Sequence, residues 1–392
     1  MSEQILILGG GYGGLLSALT ARKHFSAEEA SITLVNRVPY HQIVTELHRL
    51  AVNGLDEKNV ALPLDKLLKN KSINVIIDNV DKIDPDNKKV QLSRSGNLGY
   101  DKLVVALGGE TAFFGIPGLE ENSMTLKSVD EAKRVYAHIQ ARLDAYAKSK
   151  DEKDAAIVVG GGGLTGIELT GEIADKLQEW CEAKGINRSE IKLYNIEAGP
   201  TILAGFPAEL LERAKASLQN RGVNLIMGVA VTEVQGTKVM LKDGSSIDTN
   251  TFVWTGGVTG NPVVADCGIE VNRGRATVNE FLQSTSHADV FLAGDNAVVF
   301  GPEGRPYPPS AQIAWQMGEA IGYNLYANYK GIPMKSFEFV NSGVLASLGR
   351  KDAIGTVGAS QLRLKGVPAS LMKEASNVRY LSHVNGLFSL VY

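Results

Sequence analysis

Residues 5–16 read Ile5-Leu6-Ile7-Leu8-Gly9-Gly10-Gly11-Tyr12-Gly13-Gly14-Leu15-Leu16. Four apolar residues make a buried strand, the glycines a turn, and the stretch from about Leu15 to Phe25 a helix. A β-rich run, Ile32-Thr33-Leu34-Val35-Asn36, comes next, so the order is that of a βαβ unit. In Gly9-x-Gly11-x-x-Gly14 the first glycine permits the turn and the second lets the backbone approach a pyrophosphate. The third allows close helix–strand packing. The helix N-terminus then turns free N–H groups toward an anion.

The same grammar returns one domain later. Ala155 to Val159 is a strand, Gly160-Gly161-Gly162-Gly163-Leu164-Thr165-Gly166 the turn, Ile167 to Trp180 a helix, and Ile191 to Glu197 a strand. Gly161, Gly163 and Gly166 repeat the fingerprint. Two dinucleotides brought together in one chain exchange a hydride. The second unit ends its strand with Glu197, a carboxylate suited to ribose hydroxyls and repelling a 2′-phosphate, which favours NADH over NADPH. At the corresponding place the first unit has Asn36-Arg37, which suggests a different nucleotide there.

Composition agrees with a multi-domain α/β protein. The chain has 392 residues, enough for two or three domains, with 44% hydrophobic and 21% charged residues. A net charge of -3 argues against a general polyanion binder, so no nucleic-acid partner is expected. Cys181 and Cys267 make neither a disulfide framework nor a four-ligand zinc site, and a reducing, intracellular setting is expected. The six histidines show no metal-ligand spacing, and no metal is expected. Met1-Ser2-Glu3-Gln4 lacks a basic n-region, and no run of about 18 apolar residues is long enough to span a bilayer.

Between the two units, Ile73 to Leu92 alternates around Asp84-Pro85-Asp86-Asn87 as a hairpin-like insert, and Tyr100 to Leu107 is a buried strand. Val129 to Lys148 reads as a long amphipathic helix and Lys148 to Asp154 as a linker. Alternating segments lie between Gly228 and Leu241, followed by strands Thr251 to Thr255 and Val290 to Ala293. From Phe337 onward come two short strands, Val344 to Leu348 and Ala353 to Val357, and a helix over roughly Pro368 to Leu381.

Val290-Phe291-Leu292-Ala293-Gly294-Asp295-Asn296-Ala297 is a strand ending in Gly-Asp far downstream of the first unit. Together with Thr255-Gly256-Gly257 it resembles the glutathione-reductase-like fold of two-dinucleotide flavoproteins, in which such an aspartate holds FAD. No cysteine lies between Gly14 and Asp101, which sets aside the disulfide reductases and the cysteine-dependent peroxidases and sulfide:quinone reductases. Tyr307-Pro308-Pro309-Ser310-Ala311-Gln312-Ile313-Ala314-Trp315-Gln316-Met317-Gly318-Glu319 resembles the quinone-site motif of type II NADH:quinone oxidoreductases. Val35-Asn36-Arg37 with Tyr40-His41, Gly163 to Glu168, Val253 to Val258 and Ala346-Ser347-Leu348-Gly349 extend the resemblance over nearly the whole chain.

The resemblance implies non-covalent FAD, NADH as substrate and two-electron reduction of a membrane quinone, menaquinone or ubiquinone. The alternatives are a soluble NADH:ferredoxin-type reductase and an NADH-binding redox-sensing flavoprotein. It implies two Rossmann-like domains: residues 1–115 with 270–336 for FAD and 116–269 for NADH. Residues 337–392 would form a C-terminal membrane-associating segment. FAD would be held by Gly9, Gly10, Gly11, Tyr12, Gly13, Gly14, Asn36, Arg37, Val80, Asp295, Ala311, Gln312 and Lys373; Gly161, Gly163, Gly166 and Glu197 would hold NADH. Glu168 and Gln312 are the candidate catalytic residues.

Local physics bears on several of these. Pro308-Pro309-Ser310 is a helix-start signal that puts Ala311 and Gln312 in a first turn, where free N–H groups face a flavin. Glu168 and Glu172 share a helix face, and the competing account is two surface carboxylates at a helix N-terminus. Eight Lys and Arg against three acids from Lys330 onward give the end of the chain a basic character. Leu371, Met372, Ala375 and Val378 recur at helical spacing, with Leu387, Phe388, Leu390, Val391 and Tyr392 beyond them. An anionic membrane surface, contacted peripherally from the cytoplasmic side, accounts for both features; a homodimer contact is the competing account.

Overall fold

The computed structural model of the chain describes residues 2–272, 274–301 and 304–385. In chain order, β1 (Glu3–Leu8), α1 (Tyr12–His24) and β2 (Ala30–Asn36) are followed by α2 (Leu47–Leu50), β3 (Ile73–Ile77), β4 (Lys102–Val105) and α3 (Val129–Ser149). Then come β5 (Ala156–Gly160), α4 (Leu164–Ala183), β6 (Lys192–Glu197), α5 (Ala208–Asn220), β7 (Val223–Met227) and β8 (Thr251–Trp254). The last part holds β9 (Val290–Leu292), α6 (Ala311–Lys330), β10 (Gly343–Gly349), β11 (Asp352–Val357), β12 (Leu362–Lys365) and α7 (Val367–Asn385).

These elements form two compact units. The first comprises Met1–Ile43, Ala61–Glu110 and Val258–Val340; the second comprises Val44–Val60, Thr111–Gly257 and Asn341–Tyr392. Set beside the boundaries read from sequence, the excursion 44–60 falls in the second unit, and so does the chain from Asn341 onward.

The first unit is built on a five-stranded parallel sheet in the order β9-β4-β1-β2-β3. β1 lies at its centre, and Ile5, Leu6, Ile7 and Leu8 are all buried, the uninterrupted apolar run of a strand covered on both faces. Helices α1 and α6 approach very closely. A Cβ at Gly318 would lie 2.3 Å from the Gly13 carbonyl oxygen, and one at Gly322 2.6 Å from the Thr20 Cβ. Only glycine at these two positions permits the crossing.

The second unit repeats the plan with a four-stranded parallel sheet, β7-β6-β5-β8. Its C-terminal part is an antiparallel meander, β10-β11-β12, leading into α7. The meander packs on α4 at Gly171, where a Cβ would lie 2.3 Å from the Leu348 carbonyl oxygen.

Several elements differ from the sequence expectation. Both glycine-led helices start earlier, at Tyr12 and Leu164, because the glycines that depress helix propensity form the first turn. Ile73–Ile77 is the parallel edge strand of the first sheet; the hairpin begins only at Val80 and continues as Lys89–Leu92 and Gly96–Gly99. Lys148 to Asp154 is no linker: Lys150 caps α3 in a left-handed conformation, and a short 3-10 turn follows within the second unit. The strand β12 went unread, since Leu362 to Lys365 is a short, mostly exposed edge with little apolar signal.

Candidate functional site

In the first unit the glycine turn is fixed from below and open from above. Gly9 has φ +100°, and a Cβ there would lie 2.1 Å from the Ala106 carbonyl oxygen at the end of β4. Gly14 is equally closed, its Cβ position 1.8 Å from the Gly9 carbonyl oxygen. Gly11, by contrast, has no atom within 4 Å of its Cβ position. It is the N-cap of α1, no side chain caps the helix, and the first turn carries no acid. Gly13, next to Tyr12, closes instead against the Ala293 side chain, with 2.8 Å between Cβ positions. The turn is therefore a cradle for an anion that approaches at Gly11.

Asn36, at the end of β2, serves that turn. Its Oδ1 accepts from the Gly10 N–H at 2.9 Å, and its Nδ2 donates to the carbonyls of Val38 and Tyr40. Arg37 beside it is exposed. His41 is fully buried, donates from Nδ1 to the Gly10 carbonyl at 2.8 Å, and sets its ring edge-on to Tyr12. Burial pushes its pKa down to about 4. This histidine entered the sequence reading only as part of a motif.

Asp295 lies in a 3-10 turn after β9, half-buried, and no described residue donates to its carboxylate. The Arg275 guanidinium binds the Asp295 carbonyl oxygen at 3.1 Å, so the main chain is tied down while the acid stays available. Ser310 caps α6 by accepting from the Ile313 N–H at 3.3 Å, which places Ala311 and Gln312 in a first turn without acids, as the prolines predict. Val80 opens the hairpin and is half-buried.

The second unit carries the equivalent cradle. Gly161 has φ +110° and closes on Thr255, Gly166 closes on Gly161, and the Cβ position of Gly163 is open. Here too α4 starts with no side-chain cap and no acid in its first turn. Glu197 accepts from the Gly162 N–H through Oε2 and from the Gly199 N–H through Oε1, both at 2.6 Å. Each oxygen keeps a second lone-pair direction for a ligand hydroxyl.

One turn along α4 the same unit gathers charges that the surface reading of Glu168 and Glu172 did not anticipate. Both are buried, at 7% and 4% relative exposure. Glu168 Oε1 accepts from the Ser347 N–H at 3.0 Å and from the ammonium of Lys373 on α7. His48 Nδ1 lies 3.5 Å from its Oε2. Arg49 binds Glu46 at 3.1 Å and Glu374 at 2.7 Å. Burial pushes the Glu172 carboxyl up to about 7, against the opposing pull of Arg49.

Glu46, His48 and Arg49 were missed in the sequence. The available signal was a short stretch in which three ionisable residues alternate with Leu47 and Leu50, apolar side chains that require burial. Among the described residues, no group of three or more His, Cys, Asp and Glu is placed to hold a metal ion.

Comparison with known proteins adds to this geometry. The sequence pattern of the family described as pyridine nucleotide-disulphide oxidoreductase matches residues 3–318. A protein of Staphylococcus saprophyticus named type II NADH:quinone oxidoreductase is 33% identical over 391 residues, covering 98% of this chain and 96% of its own. Its namesake in Staphylococcus aureus is 34% identical over 397 residues with the same coverage. The structure of NDH2 from Plasmodium falciparum in complex with NADH superposes with a TM-score of 0.86 at 17% identity, covering 100% of this chain and 99% of its own. Sulfide:quinone oxidoreductase from Aquifex aeolicus reaches 0.81 at 21% identity, covering 98% and 92%. The two structural likenesses speak for the fold.

Proposed function

The chain belongs to the pyridine nucleotide-disulphide oxidoreductase family and, within it, to the type II NADH:quinone oxidoreductases, and on that footing we propose which of its residues carry the reaction. The enzyme oxidises NADH with FAD as cofactor and reduces a quinone. FAD, when bound, accepts two electrons from NADH and passes them on. The observation that carries the assignment of sites is the pair of open cradles at Gly11 and Gly163, each at an uncapped helix N-terminus.

The first unit is assigned to FAD. Its pyrophosphate would lie over Gly9 to Gly14 at the head of α1, with Asn36 and His41 keeping the turn in shape. The donor-free carboxylate of Asp295 would accept from ribityl hydroxyls. The first turn of α6, with Ala311 and Gln312, would offer N–H groups to the flavin ring; Arg37 and Val80 would border the cofactor. The second unit is assigned to NADH, with Gly161, Gly163 and Gly166 at the pyrophosphate and Glu197 at the ribose.

Glu168 is assigned proton delivery to the quinone and Gln312 the orientation of a quinone carbonyl by hydrogen bonding, while Lys373 pairs with the Glu168 carboxylate. The quinone is assigned to a membrane, reached peripherally from the cytoplasmic side. On α7, Leu371, Met372, Ala375 and Val378 are exposed, whereas Ala369, Tyr380 and Val384 are buried, so the apolar stripe faces away from the protein. Among the described residues no helix is long and apolar enough to cross a membrane. The apolar stretch from Leu387 to Tyr392 lies outside the described residues.

The test is an absorbance spectrum of the purified protein, then NADH oxidation with and without a short-chain quinone. A flavin spectrum and quinone-dependent oxidation are expected. A colourless protein that still binds NADH would remove the assignment of the first unit.

A further inference from the structure

The reaction converts NADH, a proton and a quinone into NAD+ and a quinol, so each turnover takes one proton from the medium. A carboxyl that delivers this proton must be refilled once per cycle. Glu168, whose assignment above is the premise of the relay, is buried among Ser347, Lys373 and His48.

Three groups touch its carboxylate: the Ser347 N–H, the Lys373 ammonium and the His48 imidazole. The same three residues line a cavity of about 10 Å³, room for roughly one water, with Glu46, Arg49 and Glu172 among its other walls. Glu168 does not line the cavity itself, whereas its partners Ser347, Lys373 and His48 do. A main-chain N–H has no proton to give up. His48 has two ring nitrogens and uses only one: Nδ1 faces Glu168, while Nε2, fully buried, meets no described hydrogen-bond partner. A buried ring nitrogen without a partner is costly and calls for a reason.

Burial, with Lys373 and Arg49 nearby, holds the imidazole well below its ordinary pKa and hence neutral. A neutral imidazole accepts a proton at one nitrogen as it releases one from the other. Glu172 is faced by Glu46 and Arg49 from the 44–60 segment, by Lys373 on α7, and by Glu168 and Asp175 on its own helix. Glu374, on the same cavity wall, is exposed.

We propose that His48 is the proton shuttle between Glu172 and Glu168, carrying a proton from the small cavity to the carboxyl that serves the quinone. The protonated Glu172 gives its proton, through one water in the cavity, to Nε2. Nδ1–H passes its own proton to the Glu168 carboxylate, across a contact that tightens when substrate is bound. Glu172, left as a carboxylate, takes a proton from the medium at the Glu374 side. The ring, now protonated on Nε2 and bare on Nδ1, resets by turning in its pocket, so that the protonated nitrogen faces Glu168 and the bare one faces the water for the next transfer. No electrons move in these steps. His48 is thus a positioning and relay residue acting through Glu168.

The experiment uses the purified flavin-loaded protein in stopped flow, with a short-chain quinone. His48→Gln keeps an N–H near Glu168 but cannot conduct, and Glu172→Gln removes the source. Flavin content and melting profile establish that each variant is folded. Bleaching by NADH should be unchanged, and reoxidation by quinone should slow by about tenfold or more in each. The double variant should be no slower than either single one, and the inflection near pH 7 in the quinone step should vanish. His48→Ala should regain part of the rate with added imidazole, and an ionisable carboxyl band near pH 7 in the infrared spectrum should disappear in Glu172→Gln.

If Glu168→Gln is slow while His48→Gln and Glu172→Gln stay within about twofold of the parent, the relay is wrong and the role of Glu168 stands. A slow His48→Gln that keeps the pH inflection, with His48→Ala deaf to imidazole, would also overturn it, since a packing role alone does that. If Glu168→Gln itself runs at the parent rate, the premise fails and the relay with it.

Discussion

Lys373 and Glu168, 205 positions apart in the chain, form an ion pair that joins α7 to α4 within the second unit. Glu168 also takes the Ser347 N–H, so helix, meander and C-terminal helix meet on one carboxylate. Lys373→Met strands that carboxylate without its charge partner and should cost about 3 kcal/mol in urea unfolding. Adding Glu168→Gln should restore part of the loss, because the uncompensated charge is gone. A single variant as stable as the parent would show that the pair contributes nothing.

The carboxyl of Glu172 is raised to about 7 by burial, above its ordinary value of 4.5. A group whose folded pKa is raised stabilises fully below the unfolded pKa, and that contribution is lost as pH climbs from about 4.5 to 7. Glu172→Gln removes the dependence, so the variant should gain on the parent by on the order of 3 kcal/mol between pH 4 and 8. Parallel stability curves for the two proteins across that window would contradict the shift.

Gly9 and Gly11 lie two residues apart and should respond oppositely. Gly9→Ala places a Cβ against the Ala106 carbonyl at φ +100° and should destabilise by more than about 3 kcal/mol, giving little folded protein. Gly11→Ala points its methyl into open space and should fold normally, yet bind FAD weakly. Circular dichroism and the flavin-to-protein absorbance ratio separate the two. Normal flavin content in Gly11→Ala would move the pyrophosphate elsewhere.

Glu197 is pinned by two backbone N–H groups at the rim of the second cradle. Glu197→Ala should lower the preference for NADH over NADPH by about tenfold in kcat/KM, since the ribose acceptor and the repulsion of a 2′-phosphate vanish together. Equal use of NADPH by the parent would sink this role for Glu197.

Leu371 is 64% exposed on the outward face of α7. Intact protein should float with anionic vesicles and be partly released by salt, and Leu371→Glu with Val378→Glu should stay at the bottom of the gradient. Those two substitutions spare Lys373. A variant that still floats would transfer membrane attachment to another surface, and dissociation of a dimer by the same variant would favour the subunit contact.

The two Rossmann units were legible in the sequence because their signals are local. A glycine turn between an apolar strand and a helix occupies a dozen consecutive residues, and Ser310 after two prolines starts α6 without outside help. Glu197 and Asn36 were readable for the same reason, each ending the strand beside its own turn. The burial of Glu168 and Glu172 was not, because a helix start exposes or hides a carboxylate according to what packs on it. Here the covering came from Ser347 on β10, Lys373 on α7 and the segment from Glu46 to Arg49, all far away in the chain. Such a cluster has no spacing rule. Its members share a cavity only once the chain has folded, and their charge states follow from desolvation and from neighbours that sequence order does not reveal.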